Sequence, residues 1–311
     1  HIIDMIVEIV DPKKTDTILD PACGTAGFLI SAYKHILKEN TGKVPRDKMN
    51  YDERMEVLKH ITGYDIEPSM VRIAEMNMFL HGATDPNIYE YDTLTDDTKW
   101  DDTFTVIFGN PPFMTPKGGI KPHSKFSVSS NRAEVLFADY IETHLRRAGR
   151  AGVIVPEGVV FQTSKGYLQL RKILVENSLI AVISLPSGIF NPYAGVKTSV
   201  LIFDKKIAKK REHVLFVELK NDGFSLGAQR NPIKGSEIPE IIKAVKDFQK
   251  GKEVKFKNSS LVLKKDIEKE KYNLSVNKYK KVEITEHDFG DPKELMKELK
   301  NNNKEYIKLL T

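Results

Sequence analysis

Cysteine occurs once in the 311 residues, at Cys23, which excludes an intramolecular disulfide framework and a multi-cysteine zinc site. Long apolar runs are missing too: none approaches the roughly 18 residues of a membrane-spanning helix, so no membrane association is expected. No charged-then-apolar leader opens the chain, and a reducing cytoplasm is the compartment these absences suggest. Internal repeats are absent. What is present is 40% hydrophobic and 29% charged residues, enough apolar material for a full core. The length suits one large domain with an appendage, or two domains. The chain starts at His1 rather than at methionine and enters at once an apolar periodic stretch through Val10, so it reads as a fragment of a longer protein.

The net charge of +5 is unevenly placed. Residues 1–204 hold 22 Lys+Arg against 26 Asp+Glu, whereas residues 205–311 hold 26 against 17, so a body of −4 carries a tail of +9. A basic tail suits a polyanionic partner, although a solvated lysine-rich surface has the same composition.

Short apolar runs alternate with longer periodic stretches across residues 1–204, the pattern of strands joined by crossover helices. Seven strands are expected, at 17–20, 61–65, 88–91, 105–109, 152–156, 180–185 and 199–203. Helical periodicity covers 28–38, 69–81, 132–147 and 166–176. The fold class is therefore α/β: a Rossmann-like seven-stranded, mostly parallel sheet with helices on both faces. The last two strands lack room for a helical crossover and should form an antiparallel hairpin. Two excursions leave the sheet, 40–56 and 114–131, and the second, rich in Gly, Pro, Ser and Lys, is the better lid candidate. Beyond Asp204 the composition turns to Lys and Glu, with helices expected at 239–249 and 292–310. The expected domains are thus residues 1–204 and a smaller, mainly helical C-terminal appendage, residues 205–311.

Four motifs carry the chemistry. The first, Asp20-Pro21-Ala22-Cys23-Gly24-Thr25-Ala26-Gly27-Phe28, lies where a strand ends and a helix begins. Its glycines let backbone N–H groups approach a ligand, and the helix N-terminus favours a negative group such as a carboxylate. A ligand-free tight turn would look similar. Neither G-x-G-x-x-G nor G-x-x-x-x-G-K-[ST] occurs, so NAD and ATP phosphates are poorly supported. The second is Asp65, ending the next strand before Ile66, where a carboxylate can accept from a ribose diol; any surface Asp at a strand end would read alike. The third is Asp92, followed by Thr93, which suits either an exocyclic amine or a plain turn. The fourth is Asn110-Pro111-Pro112-Phe113 after the strand at 105–109. Its prolines remove two donors and force an extended backbone, leaving carbonyls and the Asn110 side chain as acceptors for an NH2 group. Phe113 adds a face for a planar base.

In this order the four motifs resemble the amino-methyltransferases that use S-adenosylmethionine, in particular the DNA adenine-N6 methyltransferases with an Asn-Pro-Pro-Phe motif. Residues 20–29, the stretch 63–82 with Ala74-Glu75-Met76-Asn77-Met78-Phe79-Leu80-His81-Gly82, and Pro186-Ser187-Gly188-Ile189-Phe190 are similar to the modification subunit of type I restriction-modification systems. Asp222-Gly223-Phe224-Ser225-Leu226 and the segment from Tyr272 to Tyr279 resemble that family's regions beyond the catalytic domain, so the likeness covers most of the chain.

The resemblance implies that Gly24, Thr25 and Gly27 bind the methionine part of the cofactor, Asp65 its ribose and Asp92 its adenine amine, with Asp20, Ala22, Phe28, Ile66 and Thr93 as neighbouring contacts. Asn110, Pro111, Pro112 and Phe113 would hold a flipped target adenine, in a reaction that needs no metal. Phe190 and Tyr193 both stand where the family has a second aromatic clamp. Double-stranded DNA and a separate specificity subunit are the implied partners, since no base-reading module is visible, and a nuclease-translocase subunit would join for restriction. Family members carry an upstream segment and a helical N-terminal domain that are not seen before His1. Ala26 stands where a further glycine is common, and Cys23 reads as a packing residue. Two other activities compete: glutamine-N5 methylation of a protein, whose enzymes usually carry Tyr where Phe113 stands, and a non-catalytic cofactor-binding subunit.

Overall fold

The computed structural model describes residues 1–40, 49–113, 118–191, 195–227 and 229–280, together with Met296 and Leu299. Residues 1–280 form one compact unit and residues 281–311 a second, of which only the exposed Met296 and Leu299 are described. The helix expected at 292–310 otherwise lies outside the described residues.

Helix α1 (Ile2–Val10) is the apolar periodic stretch at the start, and it buries Ile2, Met5, Ile6, Val7, Ile9 and Val10. Strand β1 (Ile18–Asp20) leads into α2 (Gly27–Glu39), and α3 (Tyr51–Lys59) precedes β2 (Ile61–Asp65). A reciprocal cap starts α3: the Asn50 side chain accepts from the Glu53 amide at 2.9 Å, and the Glu53 carboxylate accepts from the Asn50 amide at 3.0 Å. Next come α4 (Pro68–Leu80), β3 (Asn87–Glu90), β4 (Phe104–Gly109), α5 (Ala133–His144), β5 (Leu145–Pro156), α6 (Gly158–Phe161), α7 (Lys165–Asn177), β6 (Leu179–Ser184) and β7 (Thr198–Asp204). The chain continues through α8 (Lys205–Ala208), β8 (His213–Glu218), α9 (Ile238–Lys250), β9 (Ser259–Leu263), α10 (Lys264–Lys269) and a short 3-10 turn, Val276–Tyr279.

The strands form one mixed sheet ordered β3-β2-β1-β4-β5-β7-β6-β8-β9. Strands β1 to β5 pair in parallel, and β7 runs antiparallel to both β5 and β6, so the expected last hairpin is present. Period-two alternation sends side chains to opposite faces: Ile18, Val106, Phe108 and Ile154 join the layer of α1, α2, α4 and α9, while Leu19, Ile107, Val153 and Val155 join that of α5, α7 and α10.

The sequence reading needs three corrections. The sheet has nine strands among the described residues, not seven: β8 pairs with β6 in parallel and β9 with β8 antiparallel. Both lie in the lysine-rich stretch expected to be mainly helical, where His213–Glu218 is a single short apolar run among charged residues. As a result the border drawn at Asp204 falls within the sheet and within the 1–280 unit. Finally, the helix expected at 132–147 stops at His144, and Leu145 passes directly into β5, extending that strand well before 152. No Gly or Pro marks that transition. Pairing across the sheet, Phe104 with Leu145 and Val106 with Arg150, decides it.

Candidate functional site

In a parallel sheet, ligands bind at the carboxyl ends of the strands, and here β1, β2, β3 and β4 each end in a loop that reaches one cleft. The cleft has a volume of about 730 Å³ and is lined by Pro21, Ala22 and Gly24 after β1, Asp65 and Ile66 at the end of β2, Asp92 to Thr95 after β3, and Asn110 and Pro112 after β4. Gly119, Ile120 and Lys121 from the lid-candidate segment border it, as do Ala133 and Phe137.

The first loop is held from several sides. The Cys23 amide donates to the Tyr64 carbonyl at 2.8 Å, and Asn77 Nδ2 on α4 donates to the Thr25 carbonyl at 3.0 Å. Asp65 Oδ2 accepts from the Gly24 amide at 2.9 Å while its Oδ1 accepts from the Glu67 amide at 2.9 Å. Gly24 sits at φ +51° with open space where a Cβ would lie, so a ligand can approach its backbone. Ala26 also takes a left-handed conformation, φ +64°, which explains why a glycine suits that position. Close packing requires Gly63, whose added Cβ would meet Ile88 Cδ1 at 2.8 Å and Leu29 Cδ1 at 2.9 Å.

Burial sets the electrostatics. Asp20 is 2% exposed, and loss of solvation pushes its carboxyl up to about 7, opposed by the hydrogen bond from the Ala22 amide at 3.1 Å and helped by the Asp65 charge. The buried Cys23 thiol is pushed up by the same desolvation and by Asp20 and Asp65, which fits a packing residue rather than a nucleophile.

Asp92 combines both readings of its sequence. Its Oδ1 accepts from the amides of Leu94 (3.0 Å) and Thr95 (3.3 Å), and its Oδ2 accepts from the Thr95 hydroxyl, so it shapes the turn while facing the cleft. Thr93 is buried and donates to the Pro21 carbonyl at 2.8 Å, tying the third loop to the first.

Of the remaining residues singled out in sequence, some line the cleft and others do not. Phe28 is buried and stacks on Phe108 with ring centroids 5.2 Å apart, so it packs the core. Asp20 and Pro111 are buried and, like Thr25 and Gly27, are not part of the cleft lining. Asn110 and Pro112 are exposed to the cleft. Phe113 and Phe190 are half-buried and pack against the same core layer. Tyr193 lies outside the described residues. Among the described residues no cluster of His, Cys, Asp and Glu could hold a metal ion, and no helix is long and apolar enough to cross a membrane.

Sequence reasoning missed Tyr91, Leu94, Thr95, Lys121, Ala133 and Phe137 in the cleft wall. Thr95 was signalled by its place three residues after Asp92, a common turn spacing. Phe137 carried no signal, because an apolar residue on a helix reads as core.

Comparison with known proteins adds a family. The model of the family described as N-6 DNA methylase matches residues 1–288. The type I restriction enzyme EcoEI methylase subunit of Escherichia coli is 32% identical over 240 residues, which cover 75% of this chain and 46% of that protein. Among solved structures, a chain from work on complex assembly and conformational transition of a type I R-M system superposes with a TM-score of 0.75 at 27% identity, covering 99% of this chain and 63% of that one. The type I restriction enzyme EcoKI M protein gives 0.67 at 27% identity, with 78% of this chain and 52% of that one covered. The chain thus spans about half the length of such relatives.

Proposed function

Since the chain belongs to the N-6 DNA methylase family, we propose that it is the catalytic part of a site-specific DNA adenine-N6 methyltransferase, working with a DNA-specificity subunit on double-stranded DNA. In a type I restriction-modification complex a nuclease-translocase subunit would be the further partner. One observation carries the reading: Asp65, Asp92 and Asn110, distant in sequence, line a single cleft whose floor is the Gly24 loop.

The residues fit S-adenosylmethionine. The open backbone at Gly24 suits the methionine moiety, with Thr25 and Gly27 beside it. Asp65 offers carboxylate oxygens to the ribose hydroxyls, Asp92 accepts from the adenine amine, and the 64%-exposed Ile66 gives a flat apolar face for the ring. When bound, the cofactor supplies an electrophilic methyl group on a sulfonium.

The chain's own residues hold the acceptor. Asn110 Oδ1 and the Pro111 carbonyl accept the two N6 hydrogens of a flipped adenine, which keeps the nitrogen lone pair directed at the incoming methyl carbon. Rigid prolines keep those acceptors in place without rearrangement, and Phe113 stacks on the base. The basic tail supplies contacts to DNA or to a partner subunit. Because β8 and β9 belong to the sheet, substitution of surface lysines tests that role, and deletion of residues 205–311 would instead strip two strands.

The deciding experiment is transfer of labelled methyl from S-adenosylmethionine to plasmid DNA by the full-length protein, with and without its specificity subunit, followed by mapping of the modified base. Label on adenine N6 is expected. Label on protein alone, or no label with the complex assembled, overturns the reading.

A further inference from the structure

Phe190 lies in the loop after β6, and that loop is tied to a segment 42 positions downstream by one guanidinium. Arg230 Nη1 donates to the carbonyls of Gly188 at 3.3 Å and Ile189 at 2.5 Å, and its Nη2 donates to Asp222 Oδ2. The Asp222 side chain is only 1% exposed; its Oδ1 accepts from the Phe224 amide at 3.2 Å, and its Oδ2 lies 2.6 Å from His1 Nε2. A second tie runs from Asn191 Nδ2 to the Leu226 carbonyl at 3.1 Å. Gly188 takes φ +78°, and a Cβ there would press on Asn191 Nδ2 at 2.8 Å and on the Leu226 carbonyl oxygen at 3.3 Å, so the two segments are in close contact.

The sheet decides what this tie controls. Because β7 is antiparallel to both β5 and β6, strand β6 runs with β4, and the loop after β6 emerges at the same edge as Asn110. Phe190 and Phe113 are both partly buried against the same core layer. A guanidinium that grips two successive main-chain carbonyls sets the path of the backbone immediately before Phe190. A buried carboxylate keeps that guanidinium in place.

We propose that Arg230 is a positioning residue for the target-base site: by holding the Gly188 and Ile189 carbonyls it fixes the course of the chain into Phe190 at the sheet edge that carries Asn110, with Asp222 as its anchor. The inference rests on the adenine-methyltransferase reading above and deepens it by assigning the support of the Phe190 loop to the Asp222–Arg230 pair.

The test uses the full-length protein assembled with its specificity subunit, an unmodified duplex for the kinetics and a duplex carrying 2-aminopurine at the target position for base flipping. Arg230→Ala, Arg230→Lys, Phe190→Ala and the double variant Phe190→Ala/Arg230→Ala are compared for kcat and KM on DNA, cofactor affinity by calorimetry, and the fluorescence rise on base flipping. Arg230→Ala is expected to lower kcat/KM by roughly 10- to 100-fold, the scale of an ångström-level misplacement. It should diminish the fluorescence rise and leave cofactor affinity within about two-fold. Arg230→Lys keeps the charge beside Asp222 but loses the fork, so it should fold normally and fall between the two. In the Phe190→Ala background, loss of Arg230 should cost little more. Fully additive losses, an equal fall in cofactor affinity, or a wild-type-like Arg230→Ala overturns the proposal. If Arg230→Ala does not assemble, Arg230→Lys is judged by the same criteria. A wild-type complex that does not methylate adenine fells the functional reading and this inference with it, whereas an active wild type with unaffected variants fells this inference alone.

Discussion

The two halves of the sheet present their chemistry in different ways. Strands β1 to β4 are short and parallel, three to six residues each, and their ends deliver Asp20, Asp65, Asp92 and Asn110 within one or two residues. Strands β6 and β7 are wholly buried and β5 is buried from Ala151 to Pro156, with β7 inserted antiparallel, and their one candidate contact with a base, Phe190, hangs on a loop tethered by Asp222 and Arg230. A strand tip is aimed by the sheet itself, so its role is local and short-range. A loop is aimed by whatever it touches, so its role depends on residues far along the chain.

Three substitutions test that contrast, the largest expected effect first. Asn110→Ala removes a strand-tip acceptor without disturbing the sheet, and should cut methyl transfer to adenine by roughly two to three orders of magnitude with cofactor affinity unchanged. Single-turnover methylation alongside calorimetry measures both. Near-normal transfer would mean that the strand tips of the first half do not hold the acceptor.

Gly152→Ala probes the buried half through the packing of β5 against α1. Its added Cβ would lie 2.2 Å from Ile6 Cγ2 and 3.2 Å from Val10 Cγ2, so α1 must move off β5. We expect a loss of about 1–3 kcal/mol in stability by denaturant unfolding. An unchanged midpoint would show that α1 yields freely.

Asp20→Asn concerns pH. Folding raises the Asp20 carboxyl from its ordinary 3.8 to about 7, so its contribution to stability is complete below pH 3.8 and is lost as the pH rises towards 7. Asparagine retains the acceptor for the Ala22 amide and cannot ionise, so the variant should lose less stability than the wild type across that interval. Parallel unfolding curves at each pH would remove Asp20 as the source.

Much of the first half was legible in sequence because its signals are local. Gly24 and Gly27 bracket a strand-to-helix turn, two prolines follow Asn110, and each of Asp65 and Asp92 ends a recognisable strand. The same logic misassigned the end of α5, where helix passes to strand with no Gly or Pro between them. It also treated β8 and β9 as helical territory, since both are short and set in a lysine-rich stretch, and it is the pairing of β8 with β6 and of β9 with β8 that makes them strands. Phe28 shows the limit within a motif: position beside the glycines suggested a ligand contact, yet helical periodicity turns it onto Phe108 in the core.

The sequence by itself determined the class of fold, the order of the cleft residues and which of them carry acceptor groups, because period, turn chemistry and side-chain type are properties of neighbours along the chain. The tertiary structure alone decided which carboxylates share one cleft, how far the sheet extends past Asp204, and that a guanidinium at 230 grips the backbone at 188 and 189. Those depend on strand order and on contacts over long separations, and no local pattern encodes them.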